Sequence, residues 1–319
     1  MNAIGLAYLI KMGCVCGKDA LIINNRRFYV RSRIGEGGFS YIDLLEDART
    51  HKDYALKRIT CHTKEEERIG LQEVEYMKTF RHHNIIPLEE YRMVKIERYT
   101  KSVDILSEVH IVMPYYSRGS VQDMMERLKR KSEKFSENRI WELFLGTCEA
   151  IKVFHKHNPP YAHRDVKPAN IMISDEGDAV LMDLGSANKA RVQITTPSES
   201  HKLQDEAAER CSMLYRAPEL FNVELGSSID ERTDIWSLGC VLYAMAFLES
   251  PFEQVHNQGG SIALATLGGR IKFPENSGYS SSLQEVICFL MKTNPVERPF
   301  IDAVIQRVEA IHNTFDNRI

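Results

Sequence analysis

The sequence predicts an α+β fold in which a small strand-rich part precedes a larger helical part. Between residues 27 and 59, short runs of apolar and polar residues have the pattern of strands. Beyond the turn SRGS, residues 117–120, the apolar residues recur at helical spacing instead. We expect the chain to cross between two lobes near Tyr115 to Gly119, and a cleft between such lobes is a common ligand site.

The strand-rich part is expected to contain four strands and one helix. The strands are predicted at FYVRSRIG (28–35), SYIDLLE (40–46), DYALKRI (53–59) and HIVMPYY (110–116), the last of them buried. The helix is predicted over residues 65–80, with Ile69, Met77 and Phe80 as its apolar side chains. Four further helices are predicted in the second part, over residues 121–130, 138–155, 233–247 and 282–292.

Composition excludes several classes of protein. The 319 residues are 43% hydrophobic and 27% charged, which is ordinary for a globular protein with a sizeable core. A net charge of −3 argues against a general nucleic-acid-binding surface. No apolar run approaches the roughly 18 residues of a membrane-spanning helix, and the apolar stretch 3–10 lacks the basic region of a signal peptide. The seven scattered cysteines favour a reducing compartment over a disulfide framework.

The stretch GEGGFSYI, residues 35–42, lies between two predicted strands. Glycine lets a backbone approach phosphates closely and adopt dihedral angles that other residues avoid. A strand follows it rather than a helix, so it is not a dinucleotide-binding fingerprint. By itself it is equally compatible with an ordinary turn, and Ser40 stands where the usual phosphate-binding form has its third glycine.

Lys57 lies within an apolar run, YALKRI, at residues 54–59. A lysine buried in a strand needs a partner, and Glu73 on the following helix is the candidate. The functional interpretation is a phosphate ligand. The alternative is a lysine on an edge strand whose ammonium group reaches water.

Several further motifs follow in order. YAHRDVKPANIMI, residues 161–173, places His, Arg, Asp, Lys and Asn between a helix end and an apolar strand. After it come MDLGSA (182–187), YRAPE (215–219), DIWSLG (234–239) and PVERP (295–299). The order and spacing of these motifs resemble the protein kinase family, and the resemblance covers about residues 28 to 310.

The resemblance implies a bilobal protein kinase fold. Its small β-rich N-lobe is expected at about 28–114 and its helical C-lobe at about 119–312, flanked by an N-terminal segment 1–27 and a tail 313–319. It implies ATP and Mg²⁺ as cofactors, with Mn²⁺ as an alternative ion, and phosphoryl transfer to protein substrates. The residues implied in nucleotide binding, besides Lys57, are Ile34, Gly35, Glu36, Gly37, Gly38, Ile42, Ala55, Met113, Tyr115 and Met172.

The resemblance also implies individual catalytic roles. Lys57 would hold the α and β phosphates while it pairs with Glu73. Asp165 would accept or orient the proton of the substrate hydroxyl, and Lys167 would stabilise the transferring phosphoryl group. Arg164 would bind a phosphate on the activation segment.

Two residues are implied as metal ligands and three as structural anchors. Asn170 and Asp183 would bind the metal ions, because hard carboxylate and amide oxygens suit magnesium. Leu184 replaces the Phe of the usual motif, and an apolar side chain there can still pack against the helix that carries Glu73. The structural residues are Glu219, Asp234 and Arg298.

Lys167 favours serine and threonine substrates, since tyrosine kinases carry other residues after the corresponding Asp. Ser212 stands where serine/threonine kinases place a hydroxyl against the Asp and Lys. Tyrosine autophosphorylation stays open as a second specificity. The rival class is a membrane-bound scaffold with a vestigial kinase fold, and the intact Lys57, Asp165, Asn170 and Asp183 favour an active enzyme over it.

The segment LQDEAAERCSMLYRAPEL, residues 203–220, has helix-forming residues up to about Arg210, where most kinases have an irregular loop. This resembles the Numb-associated kinase family, and it implies a preformed substrate platform. The alternative is an amphipathic surface stretch without consequence. The candidate autophosphorylation sites are Thr195, Thr196, Ser198, Ser200 and Ser212.

The stretch MGCVC, residues 12–16, resembles the acylation site of a small Golgi-associated member of that family. The resemblance implies myristate on Gly13 and palmitate on Cys14 and Cys16, because stable anchoring takes two acyl chains. Myristoylation requires translation from Met12, whereas palmitoylation does not. The alternatives are an unstructured tail with two incidental thiols, or a metal site, for which two cysteines supply too few ligands.

The acylation site implies where the enzyme acts and what it binds. We expect it on the cytoplasmic face of Golgi or plasma membranes, in secretory-pathway trafficking or signalling, and in the cytosol if it is not acylated. The expected partners are protein substrates with Ser or Thr acceptors and the membrane. We expect a monomer that binds no nucleic acid.

Overall fold

Strands dominate the first part of the chain and helices the second, which confirms the predicted α+β class. The computed structural model describes residues 20–37, 40–96, 105–275 and 277–316. The chain divides into two units. The first comprises the described residues up to Gly70 together with Leu88–Tyr115, and the second comprises Leu71–Pro87 together with the described residues from Tyr116 onward.

The first unit is built on a six-stranded antiparallel sheet with the strand order β1-β2-β3-β4-β6-β5. Its strands are β1 (Ala20–Ile23), β2 (Arg26–Glu36), β3 (Ser40–Asp47), β4 (Asp53–Cys61), β5 (Glu90–Lys95) and β6 (Ser107–Pro114). All four predicted strands are present. Strand β6 ends at Pro114 rather than at residue 116, because proline has no N–H to continue the ladder. The two edge strands β1 and β5 were not predicted, since one is only four residues long and the other is largely polar.

The two faces of this sheet are chemically different because side chains alternate along each strand. One face carries a buried cluster of Ile23, Phe28, Leu45, Tyr54, Leu56 and Val112. The same face continues into a polar row in which Tyr41, Arg58 and His110 stand opposite one another on neighbouring strands. The opposite face is therefore the one that carries Ile42, Ala55 and Lys57.

Helix α1 (Lys64–Thr79) follows strand β4 and matches the prediction to within one residue. The Thr63 hydroxyl accepts the N–H of Glu66 at the start of the helix, and three glutamates occupy its first turn. Met77 is buried, as is Phe80 just after the helix, and Ile69 is partly buried. The division between the two units falls within this helix.

Helices and short strands form the second unit. The helices are α2 (Val121–Lys131), α3 (Glu137–His155), α4 (Pro197–Arg210), α5 (Arg232–Phe247), α6 (Glu253–Asn257), α7 (Ile262–Gly268), α8 (Ser281–Leu290) and α9 (Ile301–Asp316). The paired strands are β7 (Tyr161–Ala162) with β10 (Asn188–Lys189), β8 (Ile171–Ile173) with β9 (Ala179–Leu181), and β11 (Val192–Gln193) with β12 (Ser228–Ile229). Every predicted helix is present.

Helix α5 is buried on all sides from Thr233 to Ala246, so it is the core of the second unit. Helix α9 was not predicted, although Ile301, Val304, Ile305 and Val308 have helical spacing and are buried. Pro295 and Pro299 lie just before the helix, in the motif PVERP, and proline is a signal of a turn.

A buried ion pair joins the segment before α5 to the segment before α9. The Arg298 guanidinium is fully buried and donates to both carboxylate oxygens of Glu219, at 2.7 and 2.6 Å. It also donates to the backbone carbonyls of Lys292, Thr293 and Arg232. A buried charge is tolerable only when its hydrogen bonds are satisfied in this way.

Substituting Glu219→Gln is expected to destabilise the protein by about 3 kcal/mol, because it leaves the Arg298 charge buried without a carboxylate. The measurement is the midpoint of thermal or urea unfolding. Glu224→Gln is the matched control, since Glu224 is exposed in the same segment. Equal unfolding midpoints for the two variants would contradict the anchoring role of this pair.

Candidate functional site

Five residues predicted to bind nucleotide share one face of the sheet in the first unit. Ile42 stands opposite Gly35 on one side and Lys57 on the other, and Ala55 stands opposite Met113. Of the remaining predicted ligands, Ile34 and Glu36 are exposed on β2, Tyr115 and Met172 are partly buried, and the N–H of Gly37 donates to the Ser40 carbonyl. Gly38 lies outside the described residues.

Lys57 lies on a central strand. Its strand β4 is paired with β3 on one side and β6 on the other, and the residue is 8% exposed. The alternative of an edge-strand lysine that reaches water is therefore wrong. Lys57 belongs to the first unit and Glu73 to the second, and their pairing stays a prediction.

Glu73 and Asp183 approach the same glycine in the second unit. A Cβ atom added at Gly185 would lie 3.2 Å from Oε2 of Glu73 and 3.5 Å from Oδ1 of Asp183. A side chain at this position would therefore lie in tight contact with the Glu73 carboxylate and in ordinary contact with that of Asp183. Leu184 beside it is fully buried, as expected for the apolar residue of this motif. Gly185 is a positioning residue that the sequence motif contains but that sequence reasoning did not single out.

The backbone before Asp165 is held by a buried carboxylate. Asp234, on helix α5, accepts the N–H of His163 at 2.7 Å and that of Arg164 at 2.8 Å. Its Oδ2 also lies 3.0 Å from Nε2 of His155. Burial by itself would raise the pKa of Asp234, but these hydrogen bonds and the imidazole groups outweigh it and lower the pKa. The carboxylate is thus kept ionised inside the protein.

Sequence reasoning missed His155, which is buried at the end of helix α3. The signal available was a second histidine eight residues before His163, at the end of a predicted helix. Arg164 adopts a left-handed conformation with φ of 65°, which is strained for a non-glycine residue. The hydrogen bonds of the His163 and Arg164 N–H groups to Asp234 hold this conformation. Its guanidinium donates to the Lys189 carbonyl at 3.0 Å.

The structure brings three predicted residues together around the Asp165 carboxylate. Asn170 Nδ2 donates to Oδ2 of Asp165 at 3.0 Å, and Lys167 Nζ lies 2.8 Å from the same oxygen. The backbone N–H of Ser212 donates to Oδ1 at 2.9 Å. Lys167 Nζ also donates to the Ser212 hydroxyl at 2.7 Å. The cluster therefore combines a proton acceptor with a cation, which suits a hydroxyl nucleophile that attacks an anionic group.

The two predicted metal ligands are joined through the backbone. The N–H of Met182, the residue before Asp183, donates to the Asn170 carbonyl at 2.9 Å. Within the described ranges, no group of three or more His, Cys, Asp or Glu side chains could hold a metal ion. A divalent ion at Asn170 and Asp183 would therefore complete its shell with water or ligand oxygens, which is the usual habit of magnesium.

The predicted helix in the segment after Asp183 is present as α4. Thr196 caps it by accepting the N–H of Glu199, and the Glu199 carboxylate accepts the N–H of Thr196 in return. Leu203 and Ala207 are buried, so the helix is packed against the second unit and is not a loose surface stretch.

The five candidate phosphorylation sites have different surroundings. Glu199 accepts from the Thr195 hydroxyl, and Thr196 is the helix cap. The Ser200 hydroxyl donates to the Val223 carbonyl at 2.6 Å. The Ser212 hydroxyl accepts a hydrogen bond from Lys167 Nζ. Ser198 is exposed, and its hydroxyl forms no hydrogen bond with any described residue.

The thiol beside the Asp165 cluster is not reactive. Burial raises the pKa of Cys211 to about 12, so it stays protonated at neutral pH. The described cysteines, at 61, 148, 211, 240 and 288, are all free, in accord with the expected absence of a disulfide framework in this part of the chain.

Residues 28–308 of the chain match the family described as protein kinase domain. The chain is 41% identical over 298 residues to serine/threonine-protein kinase 16 of Rattus norvegicus, which covers 93% of this chain and 94% of that one. The Homo sapiens protein of the same name has the same identity and coverage. Serine/threonine-protein kinase ppk13 of Schizosaccharomyces pombe is 30% identical over 323 residues, covering 91% of this chain and 92% of that one.

Among the helices that the structure describes, none has both the length and the apolar character needed to cross a bilayer. The residues predicted to be acylated, Gly13, Cys14 and Cys16, lie outside the described residues.

Substituting Glu199→Gln is expected to loosen the start of helix α4 at pH 7. The Thr195 hydroxyl and the N–H groups of Thr195 and Thr196 lower the pKa of Glu199. A lowered pKa means that the stabilisation is complete above the unfolded value of about 4.3 and is lost as the pH falls through the folded value.

The measurement is amide hydrogen exchange of Thr195 and Thr196, expressed as protection factors. We expect lower protection in Glu199→Gln by the same factor at every pH from neutral down to about 5. Glu209→Gln, near the other end of the same helix, is the control. A difference that shrinks between pH 7 and pH 5 would contradict the lowered pKa.

Proposed function

The chain belongs to the protein kinase family, and we propose that the cluster around Asp165 is where this serine/threonine-protein kinase transfers the γ-phosphoryl group of ATP to a protein hydroxyl. The enzyme acts on protein substrates and uses ATP and a divalent metal ion. The observation that carries the proposed site is the convergence of Asn170, Lys167 and Ser212 on the two oxygens of one buried carboxylate.

Each residue of the cluster receives a role from its contacts. Asp165 orients the substrate hydroxyl and accepts its proton, and Asn170 holds the carboxylate in place. Lys167 neutralises charge on the phosphoryl group in transit. Lys167 donates a hydrogen bond to the Ser212 hydroxyl, in the segment that would receive the substrate. This hydrogen bond supports the proposed preference for serine and threonine acceptors.

We propose Mg²⁺ as the physiological ion, with Mn²⁺ as a substitute, held by Asn170 and Asp183. The support is the chemistry of the two side chains, an amide and a carboxylate oxygen, which suit a hard cation. When bound, such an ion neutralises the charge of the nucleotide phosphates. Gly185 leaves room beside the carboxylates of Glu73 and Asp183.

The nucleotide is proposed to contact the sheet face that carries Gly35, Ile42, Ala55, Lys57 and Met113. The register that aligns these residues supports the proposal. We further propose that Ile34, Glu36, Gly37, Gly38, Tyr115 and Met172 complete the nucleotide site, and that the kinase domain spans residues 28–312. Pairing of Lys57 with Glu73 is part of the same proposal.

Helix α4 supports the proposed placement of the chain among the Numb-associated kinases, because it is capped and packed as a preformed element. Among the candidate autophosphorylation sites, we rank Ser198 first because its hydroxyl is exposed and already lies in the first turn of a helix. Arg164 is proposed as a ligand of a phosphate on this segment.

We propose membrane association through palmitate on Cys14 and Cys16, with myristate on Gly13 when translation starts at Met12. The stretch MGCVC supports it, together with the physical need for two acyl chains in stable anchoring. Golgi membranes are the proposed location. The monomeric state and the absence of nucleic-acid binding stay predictions.

Substituting Asp165→Asn is expected to lower kcat on a protein or peptide substrate roughly 100- to 10,000-fold, because it removes the proton acceptor. The thermal midpoint should change little. The measurement is phosphate transfer from labelled ATP with saturating Mg²⁺.

Asp175→Asn, an exposed substitution in the turn after β8, is the matched control and should leave turnover unchanged. Chelation of divalent ions by EDTA should stop wild-type turnover, and added Mg²⁺ should restore it. Wild type that transfers no phosphate with either Mg²⁺ or Mn²⁺ would favour the scaffold alternative.

Substituting both Cys14→Ser and Cys16→Ser is expected to abolish labelling by a clickable palmitate analogue in cells. It should also move the protein from the membrane fraction to the soluble fraction, since one acyl chain at most remains. Cys288→Ser, which alters an exposed thiol elsewhere, is the control. Membrane recovery that survives the double substitution would refute the anchoring role of these cysteines.

A further inference from the structure

A cavity of about 560 Å³ opens in the second unit, away from the Asp165 cluster. It lies where the end of helix α2, the start of α3 and the turn between β8 and β9 meet. It shares no residue with the proposed catalytic, nucleotide or metal sites. Its lining consists of Ser117, Arg118, Met124, Arg127, Leu128, Lys131, Glu133, Arg139, Ile173, Glu176 and Gly177.

The lining carries four cationic side chains and two carboxylates. Two of the cations are already engaged. Arg139 pairs with Glu142 at 2.8 Å and hydrogen-bonds the Gly177 carbonyl, and Arg127 donates to the Arg118 carbonyl at 2.8 Å.

The other two cations, Arg118 and Lys131, are exposed, and neither forms a hydrogen bond or a close ion pair with any residue the structure describes. Glu176 also lines the cavity, and its own backbone N–H, the Ser174 hydroxyl and, less strongly, the charge of Arg118 lower its pKa. Arg118 and Lys131 are therefore available to an external anion.

Two guanidinium groups converge at Gly177. Its φ is 103°, and a Cβ atom there would lie 3.5 Å from Nη1 of Arg118 and 3.5 Å from Nη2 of Arg139. Like charges that approach one another are stabilised when an anion lies between them. The absence of a side chain at residue 177 leaves both guanidinium groups uncovered there, so an external carboxylate can approach Arg118 while Arg139 keeps its hydrogen bond to the Gly177 carbonyl.

The floor of the cavity is apolar. Met124 and Leu128 are partly buried and Ile173 is almost fully buried. A concave site with an apolar floor and a cationic rim fits a peptide that presents acidic and apolar side chains together. A bilayer surface is flat on this scale and would meet the rim but not the floor.

The undescribed segments of this chain do not supply such a peptide. Residues 1–19 contain two lysines and one aspartate, and residues 97–104 contain equal numbers of acidic and basic side chains. Neither segment has the excess of negative charge that the rim requires. Charge complementarity therefore favours a partner from outside the chain.

We propose that this cavity docks an acidic, leucine-containing segment of the protein substrate, at a distance from the serine or threonine that is phosphorylated. The proposal rests on the kinase function stated above and adds a substrate class to it. Docking at a second point raises the local concentration of the acceptor at the catalytic cluster. Such a segment should lower KM and leave kcat unchanged.

The test compares the full chain with two double variants. Arg118→Ala with Lys131→Ala removes the available cations of the cavity. Lys129→Ala with Arg130→Ala removes two exposed cations from the last turn of the same helix, and neither of these lines the cavity.

The first measurement is fluorescence anisotropy of a labelled peptide of alternating glutamate and leucine. We expect the cavity variant to bind it roughly tenfold more weakly than wild type, whereas the control variant binds it like wild type. Equal binding by all three proteins would overturn the proposal.

The second measurement is kinetic and uses a short serine peptide, alone or joined to the glutamate–leucine segment by spacers of increasing length. For wild type and the control variant, the joined peptide should have the lower KM, and the cavity variant should lose that advantage. All three proteins should phosphorylate the short peptide with the same kcat.

The outcomes separate two failures. Absence of turnover on the short peptide by wild type would refute the kinase function itself. If wild type has the same KM for the short and the joined peptide, and turnover is measurable, only the docking proposal is overturned. Weaker binding of the cavity variant to phosphatidylserine vesicles, with unchanged peptide binding, would also overturn it and would assign the cations to a membrane surface.

Discussion

The second unit depends on one buried carboxylate. Asp234 is fully buried on a helix that has no solvent-exposed side, and an isolated charge in such a position would be prohibitively unfavourable. Two backbone N–H groups and the imidazole of His155 offset that cost. Because those N–H groups belong to His163 and Arg164, the carboxylate holds the backbone that leads directly into Asp165. A helix with no solvent-exposed side thereby holds the backbone next to the proposed proton acceptor.

Hydrogen bonds also hold the end of the activation segment against Asp165 and Lys167. Asp165 accepts the N–H of Ser212, and Lys167 bonds the Ser212 hydroxyl, so the end of this segment is joined to the catalytic cluster by two hydrogen bonds. Arg216 donates to the Cys211 carbonyl and steadies the turn between them. Helix α4 before it is fixed by its cap and by buried Leu203 and Ala207. The segment that we propose as the substrate platform is therefore fixed by its own cap, buried side chains and hydrogen bonds.

Helix α2 shows how one short helix serves two surfaces. Its buried residues Val121 and Met125 fix it in place. Arg127 and Lys131 face the cationic cavity, while Glu126 and Lys129 line a separate, smaller cavity beside Tyr215. Helix α2 therefore contributes side chains to two separate cavities.

The sequence by itself determined the class of fold, the order of the four inner strands of the sheet and of helices α1 to α5 and α8, and the identity of the chemical groups. Strand alternation, helical periodicity and the spacing of short polar motifs are local properties. Local properties can be recognised from the order of residues along the chain. The motif residues Asp165, Lys167, Asn170 and Ser212 could be named for this reason, even though 42 residues separate Asn170 from Ser212.

Only the tertiary structure decided what depends on contacts between distant segments. It placed Lys57 on a central strand, put His155 against Asp234, and brought the carboxylates of Glu73 and Asp183 close to Gly185. It also brought Arg118 and Arg139 to one glycine. These contacts could not be predicted from the sequence, because they form when segments far apart in the chain pack together. The residue pattern within one segment does not specify which other segment it will contact.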